Sequence, residues 1–108
     1  MARPNETAGS KMSTRSLIRA LASCAVEINC TIAGTEWYIF GSALRDPHSA
    51  ADIDLLILCP THKVADQIRQ LVERQRFARP VDLSLLTFEE ETEVGFIRYQ
   101  GCRRIFPE

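Results

Sequence analysis

WYIFGSALRDPHSAADIDLLIL, residues Trp37 to Leu58, combines two apolar runs, a Gly-Ser turn and an Asp-x-Asp pair. The run from Trp37 to Phe40 is aromatic and β-branched, which favours a strand, and it stops at Gly41-Ser42. The run that begins at Leu55 is too apolar and too short for anything but an interior strand. The stretch therefore predicts two core strands joined by a turn and a loop.

Two acids open the second strand. Side chains alternate along a strand, so Asp52 and Asp54 are expected on one face while Ile53 packs on the other. Two carboxylates at the edge of a hydrophobic core repel each other and lose hydration, which a divalent cation would offset. Their oxygen ligands favour Mg²⁺.

The Gly-Ser turn predicts an anion site beside these acids. Gly41 allows a ligand to approach the backbone closely, and Ser42 begins a short helical turn whose N–H groups and hydroxyl would face a phosphate. Arg45, one turn on, is a candidate charge partner. An anion cradle next to a metal clamp suggests a metal-bridged nucleoside triphosphate.

Gly41-Ser42, nine residues and then Asp52-x-Asp54 together resemble the signature of the DNA polymerase beta-like nucleotidyltransferase superfamily. The chain length is similar to that of its minimal nucleotidyltransferase (MNT) branch. The family uses a third carboxylate on a later strand, and Asp82 lies in such a setting within PVDLSLL, residues 80–86.

The resemblance implies an activity and a partner. Two Mg²⁺ ions would be held by Asp52, Asp54 and Asp82, and the reaction would transfer a nucleoside monophosphate, AMP from ATP, to an acceptor hydroxyl with release of pyrophosphate. Minimal members of the family are commonly encoded beside a helical HEPN protein, which implies a toxin-antitoxin pair and transfer to that partner. The alternative is a binding or antitoxin protein, without catalysis or with little of it, that masks its partner.

Composition limits these possibilities. The chain has 108 residues and predicts one nucleotidyltransferase domain over 13–108, after a polar tail over 1–12. A formal charge of −1 provides no basic field, so long nucleic acids are disfavoured as substrates. No leader or membrane span is evident, which makes the cytoplasm the default location. The cysteines lack metal-ligand spacing and are expected to be buried thiols.

The remaining pattern predicts an α/β fold, a small mixed sheet backed by helices on one side. Helices are expected to begin at Ser13 or Thr14, after the cap Thr61, and at a capping box that starts with Thr87. Gly101 should end the last helix before an edge strand. The sequence does not fix the role of four further residues. Arg76 and Arg79 are either solvated charges or contacts to acceptor or triphosphate, and the sequence assigns no role to Asp46 and His48.

Overall fold

The computed structural model describes residues 14–45, 52–77 and 79–108. The predicted tail over 1–12 and the loop residues Asp46 and His48 lie outside these ranges. The elements in chain order are α1 (Thr14–Asn29), β1 (Glu36–Phe40), α2 (Ser42–Arg45), β2 (Ile53–Cys59), α3 (His62–Glu73), β3 (Val81–Thr87), α4 (Phe88–Val94), α5 (Phe96–Gln100) and β4 (Arg103–Phe106).

The described strands form a mixed sheet in the order β3-β2-β1-β4. β1 pairs antiparallel with both β2 and β4, while β2 and β3 run parallel and are joined by the crossover helix α3. β2 is an interior strand, as its apolar run predicts, and all but one of its seven residues are buried. The sheet places β1 and β3 on opposite sides of the strand that carries Asp54.

The main hydrophobic core lies between one face of the sheet and the two long helices. It contains every second residue of β2, beginning at Ile53, and the apolar stripe of α1. Val81, Leu83 and Leu85 of β3 pack against the same core, which confirms the predicted alternation along that strand. The mixed sheet with its long helices on one side is the predicted fold class.

The opposite face of the sheet carries a smaller apolar cluster. Tyr38, Leu56 and Leu58 are buried there, and Phe88 and Phe96 pack against them from the short helices α4 and α5. The sequence predicted one helix up to Gly101, but Gly95 adopts φ +64° and divides it. The carboxylate of Glu91 then accepts hydrogen bonds from the first two N–H groups of α5, at 2.9 and 3.2 Å. This turn directs α5 over the sheet face that also bears the acids.

Several local predictions are confirmed. Thr61 caps α3 by accepting a hydrogen bond from the Val64 N–H at 3.2 Å, and Thr87 and Glu90 form a reciprocal capping box at the start of α4. Burial of the thiols is confirmed for Cys24 and Cys59, whereas Cys102 is only half-buried. The prediction was wrong for Cys30, which lies exposed just beyond the end of α1. Across the described ranges, no helix combines the length and apolarity needed to cross a membrane.

Candidate active site

The parallel register of β2 and β3 places two acids side by side. Asp54 is the direct partner of Asp82, and both extend from the sheet face opposite the main core. Asp82 is exposed and Asp54 is half-buried. Two residues far apart in the sequence therefore meet at the start of neighbouring strands, as the resemblance implied.

Asp52 takes a different position from the one the alternation predicted. β2 begins at Ile53, so Asp52 lies in the bend that precedes the strand and is exposed. It nevertheless lies close enough to act on Asp54 through its charge. The strand begins one residue later than the sequence suggested, and no ladder hydrogen bond fixes the face of the first acid.

The electrostatics of the site centre on Asp54. Burial raises its pKa, and the negative charges of Asp82 and Asp52 together with a side-chain hydrogen bond to Asp82 raise it further. Arg45 acts in the opposite direction and lowers the pKa of Asp54. Asp54 is therefore a carboxylate whose negative charge is unfavourable in the protein alone and which a bound cation would stabilise.

The turn after β1 packs directly on this carboxylate. Gly41 has φ +78°, and a Cβ at this position would collide with Oδ2 of Asp54 and lie 3.1 Å from its Cγ. Glycine is favoured here, because the backbone conformation strains any L-residue and a Cβ would force the Asp54 carboxylate to move. The Gly41 carbonyl accepts hydrogen bonds from the Leu44 and Arg45 N–H groups, which turns the chain away from the sheet.

The predicted cradle residues thus lie beside the acids. Ser42 follows Gly41 and is half-buried at the start of α2, while Arg45 ends that helix with an exposed side chain. Phe40, the last residue of β1, is the direct antiparallel partner of Asp54. The structure therefore brings Gly41, Ser42 and Arg45 to the β1 side of Asp54, opposite Asp82.

The donor set fits a hard cation in its chemistry. It consists of carboxylate oxygens, and the raised pKa of Asp54 indicates a local excess of negative charge. Within residues 14–45, 52–77 and 79–108, however, no three His, Cys, Asp or Glu side chains converge closely enough to hold one ion. Asp54 and Asp82 are the two that the structure joins, and a role for Asp52 as a third ligand stays a prediction.

An aromatic pair next to the acids was not predicted from the sequence. The rings of Phe40 and Phe96 pack edge to face with centroids 5.1 Å apart and an interplanar angle of 85°. The sequence predicts Phe40 as a strand residue and leaves Phe96 open between core packing and a docking surface for a partner. A helix break at Gly95 was the one signal that could have indicated that α5 turns toward the site.

A cleft on the other side of the acids was also not predicted. It has a volume of about 620 Å³ and lies between the outer edge of β3 and the C-terminal part of α3. Asp82 contributes to its wall. Arg76 and Arg79, for which the sequence left two interpretations open, both line this cleft, and Arg69 lines it as well.

Comparison with known proteins gives one structural relative. No protein-family model matches the chain, and neither does any curated protein sequence. A solved structure of a "putative nucleotidyltransferase" from Sulfolobus solfataricus superimposes with a TM-score of 0.61, covers 85% of this chain and 81% of that one, and has 24% sequence identity. The mixed sheet, the helices and this likeness together show that the chain has a nucleotidyltransferase-like fold.

Proposed function

We propose that this chain is a Mg²⁺-dependent nucleotidyltransferase that transfers AMP from ATP to an acceptor hydroxyl and releases pyrophosphate. The observation that carries the proposal is the register pairing of Asp54 with Asp82, beside a turn in which Gly41 packs directly on the Asp54 carboxylate. The solved nucleotidyltransferase-like relative supports the same assignment at the level of the fold.

Each group of residues has a distinct task in this reaction. Gly41 and Ser42 bind the phosphates of the nucleotide on the β1 side, where the absence of a Cβ leaves the backbone accessible. Arg45 adds a positive charge that already acts on Asp54. Asp52, Asp54 and Asp82 would hold two Mg²⁺ ions, which when bound would neutralise the charge that develops on the attacking and leaving oxygens.

The acceptor approaches from the β3 side. Asp82 is the exposed member of the pair and lies farther from the turn than Asp54, so its carboxylate is suited to orient the acceptor hydroxyl and to accept its proton. The order turn, Asp54, Asp82 follows the strand order β1, β2, β3. Nucleotide and acceptor therefore bind at opposite sides of one carboxylate row.

The decisive test removes negative charge while keeping side-chain volume. In a double variant with Asp52→Asn and Asp54→Asn, we expect loss of Mg-ATP binding by isothermal titration calorimetry and loss of transfer from radiolabelled ATP. Asp66→Asn is the matched control, because Asp66 is exposed on α3 and lies outside the site. Undiminished Mg-ATP binding together with full transfer in the double variant would show that these acids do not hold the metal.

The acceptor is proposed to be a protein partner of the HEPN type. Asp52 and Asp82 are exposed to solvent. A bound partner protein would supply part of the acceptor positioning, which is worth up to roughly 7–11 kcal/mol in well-oriented reactions. Incubation with labelled ATP, Mg²⁺ and the protein encoded by the neighbouring gene should place the label on that protein. Rapid transfer to a small metabolite by the chain alone, with no label on either protein, would contradict this assignment.

A second candidate function is an antitoxin that masks its partner with little or no catalysis. The observation that favours it is that the described acids do not converge as a set of three. The two functions differ in one measurement. A catalytic antitoxin loses neutralisation of its partner when Asp54 becomes Asn, whereas a masking antitoxin keeps it.

A further inference from the structure

The cleft beside β3 differs in charge from the rest of the protein. Its wall contains Arg69, Arg76 and Arg79 against two acids, Glu73 and Asp82, whereas the whole chain carries a formal charge of −1. An excess of guanidinium groups in a concave surface is the arrangement that binds phosphate and carboxylate groups.

Two arginines of the cleft, Arg69 and Arg76, keep donors available. Arg69 pairs with Glu73 only at 3.9 Å, and both side chains are about half exposed or more, at 47% and 64%. Exposed pairs at this separation hold their partners weakly. Arg76 is exposed and makes no ion pair with any other residue in the described ranges. Guanidinium N–H groups of Arg76 and Arg69 can therefore turn to a ligand at little cost.

The cleft also has an apolar part and shares one residue with the candidate site. Val72, Phe77, Val81 and Leu83 line it from the main-core side, and Asp82 of the carboxylate row lines it as well. A ligand held by the arginines would thus extend along the edge of β3 toward Asp82. The strand order places this cleft on the side of Asp54 opposite the Gly41 turn, so it is separate from the nucleotide cradle.

We infer that this cleft is an anion subsite for the acceptor, so that the molecule receiving the nucleotide carries a phosphate or carboxylate group near its reacting hydroxyl. The identification of the bound molecule as the acceptor rests on the proposed function, whereas the anion subsite itself does not depend on it. Two sources share this chemistry, a phosphorylated small molecule and an acidic side chain of a partner protein.

Binding is tested without nucleotide or metal. Inorganic phosphate is titrated into the full chain while amide shifts are followed by NMR, and saturable shifts are expected at Arg76 and Asp82. Arg76→Gln should weaken this binding roughly tenfold, because it removes a charge-assisted hydrogen bond. Lys63→Gln should leave it unchanged, since Lys63 is an exposed cation of α3 outside the cleft. Absence of saturable shifts at the cleft, or equal affinity in Arg76→Gln, would overturn the subsite.

The link to the acceptor has its own measurement. In the transfer assay, Arg76→Gln should raise the KM for the acceptor by roughly tenfold and leave the KM for ATP unchanged. The assay offers the neighbouring gene product and glycerol 3-phosphate together, and glycerol serves as the uncharged control for glycerol 3-phosphate. The acceptor that becomes labelled shows which of the two sources supplies the anionic group. An equal KM for the acceptor in parent and variant, or equal use of glycerol and glycerol 3-phosphate as the labelled acceptor, would overturn the assignment.

The two proposals can fail separately. A chain that binds phosphate in the cleft but fails to bind Mg-ATP would refute the nucleotidyltransferase function and leave the anion site in place. A chain that binds Mg-ATP but shows no phosphate binding at Arg76 would refute the subsite alone.

Discussion

Replacing Gly41 with alanine should disturb both the fold and the carboxylate row through a single methyl group. Gly41 has φ +78°, where L-residues are strained, and the new Cβ would collide with Oδ2 of Asp54. Gly95→Ala is the matched control. Gly95 has φ +64°, and a Cβ there would meet no atom within 4 Å. The two variants share the backbone strain, and only the first has the collision.

The magnitude follows from these two contributions. A left-handed conformation costs a non-glycine residue about 1–2 kcal/mol, which is the loss expected for Gly95→Ala. Moving the Asp54 side chain off its rotamer adds about 0.5–1.5 kcal/mol for Gly41→Ala. For a domain of this size each kcal/mol lowers Tm by about 4–8 °C, so the excess is measurable.

Urea unfolding followed by tryptophan emission provides the assay, because Trp37 is the only tryptophan and is fully buried. Asp54→Ala removes the atoms that the methyl group would strike. In that background, the cost of Gly41→Ala should fall to the cost of Gly95→Ala, which gives a coupling energy between positions 41 and 54. Equal losses for the two glycine variants in the parent chain, or an excess that persists after Asp54→Ala, would refute the reasoning.

Three further outcomes are expected. The pKa of Asp54 is raised in the folded protein, so its charged form destabilises the metal-free fold. This destabilisation is complete when the pH is above the raised pKa and absent when the pH is below the ordinary value of about 3.9. Asp54→Asn should therefore raise Tm at pH 7 and lose this advantage in acid, and a lower Tm at pH 7 in calorimetry would contradict it. Thr87→Ala, which removes the capping box, should cost about 0.5–2 kcal/mol in urea unfolding, and an equal loss for Thr92→Ala inside the same helix would speak against a capping effect. Thr35→Val should cost about 1–3 kcal/mol, because the indole N–H of Trp37 loses its buried partner at 3.0 Å, and unchanged stability would mean that another acceptor replaces it.

The sequence was most informative where local chemistry decides the structure. Thr61 and Thr87 cap helices because their side chains reach N–H groups three residues away, and that reach is visible in the sequence. The run around Leu56 predicts an interior strand, since it is too short for a buried helix and is apolar on both faces of the sheet. The helix break at Gly95 was not predicted, because local chemistry does not decide it. A glycine near a helix end either continues the helix at a small cost or breaks it, and the packing of Phe96 on Phe40 decides between them.

What the sequence could not provide is the lateral order of the strands, and the function of the site depends on it. Asp54 and Asp82 meet because β2 and β3 are parallel neighbours in one register, and a shift of one residue would turn Asp82 into the core. That register is fixed by burial of Val81 and Leu83 against the long helices, a contact between segments distant in sequence. The same order places the Gly41 turn on one side of the acids and the arginine cleft on the other. The sequence alone leaves Arg76 open between a solvated charge and a contact to acceptor or triphosphate, and its position in the cleft beside Asp82 favours the acceptor.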